Sequence, residues 1–136
     1  EEETETVEIS EVFKVTPAKL YEVFTEPELV RAWSNAPCEV DCRPGGSFSL
    51  FKGMVTGAFR EVEPPNRLAM SWRLKSYPSN HFADVEFLFV DREDHCRLEV
   101  KAHRVPRANQ EETLQGFRRH YFQNVMRTFG FGAQLF

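Results

Sequence analysis

Four histidines, three cysteines and 17 lysines and arginines are the side chains from which this 136-residue chain could build chemistry. Imidazole is the commonest general base. Here His81 stands at a strand start, His95 beside a turn, His103 on the polar face of a strand and His120 on a helix, and none has a nucleophile or carboxylate partner in sequence. Cys38 and Cys42 fall in one extended stretch, where residues spaced about 3.3 Å apart put their Cα atoms roughly 13 Å from each other, too far to bridge. A Cys-x3-Cys metal pair completed by His95 or His103 would need a second ligand pair, and no other metal-like spacing is present. Free thiols in a reducing, cytoplasmic compartment are the expectation. With no nucleophile motif, phosphate-binding glycine loop or zinc signature, no catalytic residue, metal or cofactor is assigned.

Arg118 is the charged residue that helical spacing puts among apolar ones. At about 100° per residue it falls inside the arc of Leu114, Phe117, Tyr121, Val125 and Phe129. A guanidinium there must snorkel, meet a carboxylate such as Asp84 or Glu86, or line a ligand cavity. Trp72, Phe87, Phe117 and Tyr121 are the other candidate cavity-lining residues. A second group is basic: Lys101, His103, Arg104, Arg107, Arg119 and Arg127 lie in the last 36 residues, which hold six basic and two acidic side chains. A strand, a loop and a helix expected to be neighbours contribute them. They read as a solvated face or as one docking side for an acidic protein partner. The loop from Arg73 to Phe82 adds Lys75, Tyr77 and His81. Tyr77, before Pro78, is either an exposed interface anchor or an aromatic folded back over the open end of the core.

The elements that must position these groups follow from ordinary globular composition. Hydrophobic residues make up 41% and charged residues 28% of the chain, enough for one domain with its own core. No apolar run approaches the roughly 18–20 residues of a membrane span. The net charge of −4 is matched by four acids within Glu1–Glu5, so the rest is neutral overall and lacks the cationic excess of a nucleic-acid surface. The head, residues 1–6, reads as an acidic linker remnant before a single domain over 7–136. The opening Glu, in place of Met, suggests a piece of something longer.

A strand is expected over Val7–Val15, with Glu11 marking an edge or a bulge. Thr16-Pro17 starts one helix and Thr25-Glu26-Pro27 a second, which Ser34-Asn35-Ala36-Pro37 ends. From Cys38 to Arg104 consecutive strands alternate with turns, and short connections make them antiparallel. A long helix over Gln110–Phe129 follows, with Asn109 and Glu112 as its capping box and Gly130 as its stop. The order β-α-α-β6-α describes an α+β helix-grip fold: a curved antiparallel sheet wrapped around the C-terminal helix.

Thr16-Pro17…Leu20-Tyr21…Val23-Phe24-Thr25, Pro27-Glu28-Leu29-Val30, Gly45-Gly46-x-Phe48, Gly53…Gly57-x-Phe59, Met70-x-Trp72-Arg73-x-Lys75-Ser76 and His81-Phe82-Ala83 fit one pattern. Its most selective part is the ending Gly116…Arg119…Tyr121-Phe122…Thr128-Phe129-Gly130-Phe131-Gly132-Ala133-x-Leu135-Phe136. The pattern resembles the C-terminal domain of the eukaryotic activators of the heat-shock protein 90 ATPase, within the START-like superfamily. That resemblance implies a non-catalytic, cytoplasmic cochaperone module, monomeric in isolation, with no membrane or nucleic-acid partner. It would contact the chaperone's N-terminal ATP-binding domain and favour the closed, N-terminally associated state. The alternative, a hydrophobic small-molecule or lipid-binding module, rests on the space under the C-terminal helix. The chain departs from the family pattern at Arg104, usually Gly, at Phe117, usually Trp, and at Arg118 and His120, usually more neutral or aromatic.

Overall fold

Alternation of apolar and polar side chains sets the sheet. In β5 (Arg67–Leu74) Leu68, Met70, Trp72 and Leu74 are buried while the residues between them face outward. β6 (Ala83–Asp91) and β7 (Cys96–Pro106) follow the same period of two. The computed structural model describes residues 3–132. The other elements are β1 (Thr4–Phe13), α1 (Pro17–Thr25), α2 (Pro27–Ser34), β2 (Glu39–Val40), β3 (Ser47–Leu50) and β4 (Val55–Glu63), then, after β7, α3 (Gln110–Gln115), a π-helical segment (Gly116–Gln123) and α4 (Asn124–Phe129). The seven strands form one sheet in the order β1-β7-β6-β5-β4-β3-β2, every pair antiparallel. The α+β helix-grip architecture and its order are as expected.

Two register shifts bend the sheet, one between Glu5 and Val7 in β1 and one between Phe59 and Glu61 in β4. Bulges increase local twist, which is how a sheet comes to wrap a helix. Gly57 serves the same curvature: a Cβ there would stand 1.9 Å from the Ser71 carbonyl oxygen. Glu11 lies on an edge strand, while the bulge is at the other end of β1. That strand starts at Thr4, paired with Pro106, and ends at Phe13, earlier at both ends than the expected Val7–Val15. The apolar ending from Ala133 to Phe136 lies outside the described residues.

Helix starts follow local chemistry. The Thr16 hydroxyl accepts from the Lys19 N–H at 3.2 Å, and Pro17 occupies the first turn of α1. Trp33 Nε1 donates to the Val23 carbonyl at 2.9 Å and ties α2 to α1. At the C-terminal helix the expected box is not formed. Asn109 Nδ2 donates to Glu112 Oε1 at 3.0 Å, side chain to side chain, and caps no backbone N–H.

The C-terminal helix runs where expected but not with the expected pitch. Gly116–Gln123 is π-helical, with hydrogen bonds spanning one residue more than in an α-helix. A π turn takes more residues per revolution, so an α-helical wheel overruns the true angle. Thr113, Phe117, Tyr121 and Val125, spaced by four, therefore stay on one buried face together with Phe122. Arg118 is exposed, so of the three readings open to it the side chain that reaches solvent is the one present; it neither lines a cavity nor meets Asp84 or Glu86. Asp84 pairs instead with Arg60 and Arg104, and Glu86 with Arg67.

Candidate functional site

The face of the C-terminal helix that enters the sheet meets aromatic side chains from every layer. Phe117 stacks on Trp72 with ring centroids 4.7 Å apart. Trp72 Nε1 donates to the Tyr121 hydroxyl at 3.0 Å. Phe87 meets Phe117 and Tyr121 edge-on at 6.2 Å. Burial pushes the Tyr121 phenol well above its ordinary pKa and keeps it neutral.

At its N-terminal end the helix is clasped by the β5–β6 loop. The Thr113 hydroxyl donates to the Asn109 carbonyl at 2.8 Å, which spends its one proton. The Tyr77 hydroxyl, 2.7 Å away, is then the donor to Thr113. Ser76 Oγ donates to Glu112 Oε1 at 2.7 Å, and Arg73 Nη2 donates to the Tyr77 carbonyl at 3.0 Å. Tyr77 is 4% exposed, and burial raises its phenol to about 12. It is a clasp over the end of the core, so its candidacy as a partner-binding anchor is corrected.

Two apolar cavities flank Tyr121. The inner one, of about 30 Å³, lies among Phe24, Trp33, Phe48, Met70 and Phe87, and is large enough for little more than one water. The outer one, of about 190 Å³, lies between the β3–β4 turn and the π-helical segment. It is lined by Phe51, Met54, Val55, Trp72, Leu74, Gly116, His120 and Tyr121, and Met54 at its rim is 52% exposed. Trp72 and Tyr121 line the outer cavity, and Phe87 and Tyr121 the inner one. Phe117 packs behind Trp72 instead.

The rim of the outer cavity is made by an unusual turn. Phe51, Lys52 and Gly53 have φ values of 53°, 57° and 88°, three left-handed residues in succession. Only the glycine adopts this region freely, and each of the other two costs about 1–3 kcal/mol. Gly53 N–H donates to the Leu50 carbonyl at 3.1 Å, and Lys75 N–H to the Met54 carbonyl at 2.8 Å. The sequence marks Lys52-Gly53 as a turn with positive φ, and nothing in it singles out Phe51 or Met54.

The basic candidates are not gathered on one side. Lys101 and His103 alternate with the buried Val100 and Ala102, so they point away from the helix, His103 Nδ1 3.1 Å from the Thr6 hydroxyl. Arg107 is ion-paired to Glu3 and Glu5 at 3.0 and 2.9 Å. Arg104 sits 3.8 Å from Asp84, with its own backbone left-handed at φ 64° and its carbonyl 2.7 Å from His81 Nε2. A position where the family pattern has glycine is here an arginine tied down by these contacts. Arg119 and Arg127 are exposed on the outer side of the helix, opposite in direction to Lys101. The single docking side expected from the charge distribution is split between the two faces of the sheet. Lys75 is exposed beside Met54, and His120 lines the outer cavity with its ring 5.7 Å from that of Phe51.

The thiols are free and unactivated. Burial, reinforced by Glu26 and Asp41, raises Cys42 to about 11, and burial with Asp91 nearby does the same for Cys96. Among the described residues no cluster of three metal-ligating side chains occurs, and no helix is long and apolar enough to cross a membrane.

Comparison with known proteins agrees with this architecture. The crystal structure of PFC0360w, an HSP90 activator from Plasmodium falciparum, superposes with a TM-score of 0.86 at 26% identity, covering 93% of this chain and 97% of that one. Protein MLL2253 from Mesorhizobium loti shares the fold with a TM-score of 0.74 at 20% identity, covering 96% of this chain and all of that one. The mouse and human proteins called activator of 90 kDa heat shock protein ATPase homolog 1 are 39% and 38% identical to it over 130 residues, 96% of this chain. The chain spans 38% of the length of each of these two relatives. The family profile described as activator of Hsp90 ATPase homolog 1-like protein matches residues 14–129, and the chain belongs to that family.

Proposed function

We propose that this chain is a non-catalytic cochaperone domain that binds heat-shock protein 90 and helps to stimulate its ATPase by favouring the closed state in which the N-terminal ATP-binding domains associate. The observation that carries the reading is 39% identity over nearly the whole chain to a protein named as such an activator. The interior supports it: the space between helix and sheet is filled by Trp72, Phe87, Phe117 and Tyr121, and the inner cavity of about 30 Å³ is far too small for a lipid. The mechanism is a shift of population. Binding energy realised only in the closed state raises the fraction of chaperone able to hydrolyse ATP, and a tenfold rise needs about 1.4 kcal/mol of differential affinity. The chemistry remains that of the partner's own residues.

Calorimetric titration of the domain into the chaperone, with and without a non-hydrolysable ATP analogue, tests the reading. Tighter binding to the nucleotide-closed form is expected, weakened by Arg119→Glu. Arg119 is the cleaner site for charge reversal because Arg107 is held by Glu3 and Glu5. No binding at high micromolar concentration, or equal affinity with and without nucleotide, sinks it.

A further inference from the structure

Four features meet at the outer cavity, and none of them is required by the fold. The first is the turn at Phe51-Lys52-Gly53, whose two left-handed non-glycine residues persist only because their surroundings hold them. The second is the π-helical segment opposite, a rare geometry that recurs at functional sites. The third is Gly116. Its φ of −59° and ψ of −48° suit any residue, and a Cβ built on it would meet nothing within 4 Å. Glycine inside a helix is unfavourable, so neither conformation nor packing accounts for it; its missing side chain leaves the cavity open. The fourth is Met54, the large apolar residue left exposed at the rim, a flexible side chain suited to adaptable contacts.

The size and charge of the site select its occupant. At about 190 Å³ it is below the roughly 300–1,000 Å³ of small-molecule sites, but it admits one aromatic or branched aliphatic side chain. Its lining contains no carboxylate. Lys52, two residues before Met54 in the turn, and Lys75, whose N–H donates to the Met54 carbonyl, are both exposed and take part in none of the ion pairs among the described residues. An apolar socket with unpaired cations beside its rim complements an apolar side chain flanked by acids.

We infer that the cavity between the β3–β4 turn and Gly116 is the docking socket for an acidic segment of a protein partner, which inserts one aromatic or branched aliphatic side chain between Met54 and Trp72. This deepens the proposed function and rests on it only for the identity of the partner.

The test uses methionine-methyl NMR, because Met54, Met70 and Met126 are the chain's three methionines. The probe is the peptide acetyl-Asp-Glu-Phe-Glu-Asp-amide. A saturable shift of the Met54 methyl is expected while Met126 stays still. Replacing the peptide's Phe by Ala should weaken binding at least about tenfold, and raising salt from about 0.05 to about 0.5 M should weaken it further. Gly116→Leu plugs the socket with a good helix former and should abolish the shift without lowering Tm. Met54→Glu, at an exposed position, should do the same, read on the Trp72 indole resonance. A stationary Met54 up to millimolar peptide overturns the inference, as do equal shifts from the Ala peptide. Decanoate moving Met54 where the peptide does not would also overturn it, in favour of an acyl chain. With the chaperone itself, unchanged affinity of both variants removes the socket but leaves the cochaperone reading. Absence of wild-type binding removes that reading, while the peptide titration still decides the socket.

Discussion

The two cavities beside Tyr121 share a wall and differ in almost everything else. The inner one is reduced to about 30 Å³ by large rings in edge-on, tilted and stacked contact: Phe24 with Phe87, Trp33 with Tyr121, and Phe24 with Tyr121. The outer one keeps about 190 Å³ open beside a glycine and is bordered by a turn whose backbone is unfavourable. Dense packing on one side lets the protein carry strain and empty space on the other, because a rigid wall holds what the turn alone could not. The contrast separates residues that make the fold from residues that the fold can spare.

Truncation should divide them most sharply. Trp72 is fully buried, stacked on Phe117 and bonded to Tyr121, so Trp72→Ala should cost about 3–5 kcal/mol in urea denaturation. Met54→Ala, across the same outer cavity, should stay within about 0.5 kcal/mol. Comparable losses at the two sites would mean that the outer rim is part of the core after all.

Alkaline pH attacks the buried tyrosines, Tyr21, Tyr77 and Tyr121. Burial raises Tyr77 from 10.0 to about 12, and Tyr121 also upward. Between those values an unfolded tyrosine has lost its proton while Tyr77 in the fold keeps it. Unfolding therefore releases protons and rising pH favours it. Stability from this residue is complete below about pH 10 and is lost as pH climbs through about 12, by roughly 2–3 kcal/mol when ionisation is complete. Thermal melts from neutral pH to pH 11, with phenolate absorbance followed in parallel, measure it. A phenolate signal near pH 10 in the folded protein that is lost in Tyr77→Phe would show that the clasp is open to solvent.

What was readable from the sequence divides along the same line. Strands such as β5 and the helix start at Thr16-Pro17 are written in local chemistry, a period of two and a cap with its proline. The aromatic interior followed from those periods, which is why Trp72, Phe87 and Tyr121 were found. Arg118 fell inside the apolar arc because apolar spacing by four fits an α-helix and a π-helix alike, and only the hydrogen-bond pattern tells them apart. The role of Tyr77 depended on Thr113, 36 residues away. The basic residues looked like one group because the count ignored that Lys101 and the helix lie on opposite faces of β7. The outer cavity could not be read at all: it is a space, and Gly116 marks it only by what it lacks.

The clasp itself supplies a smaller effect. Tyr77→Phe keeps the ring over Trp72, 6.1 Å away, and removes only the hydroxyl that donates to Thr113. Thr113 still donates to the Asn109 carbonyl, so no buried donor is orphaned and the loss should be about 1 kcal/mol. The variant should also melt with a shallower alkaline dependence than the parent. A loss of several kcal/mol would instead place the whole β5–β6 loop under the control of that one hydrogen bond.

The smallest effect tests whether strain at the rim is real and whether it is isolated. Lys52 is exposed, left-handed and in none of the ion pairs among the described residues, so Lys52→Gly relieves the backbone without removing an intramolecular contact of its side chain. The glycine also loosens the unfolded chain, which opposes the gain. A net stabilisation of about 0.5–1 kcal/mol is expected. Arg104 has the same backbone sign but is tied to Asp84 and to the Phe82 carbonyl, so at Arg104→Gly the relief is offset by lost contacts and the net should be near zero. Paired urea denaturation curves of the two variants measure the difference directly. If both substitutions stabilise equally, the contacts around Arg104 do not hold its backbone. If neither does, the turn at Lys52 relaxes freely, and the rim of the outer cavity is shaped by its side chains instead of by its backbone.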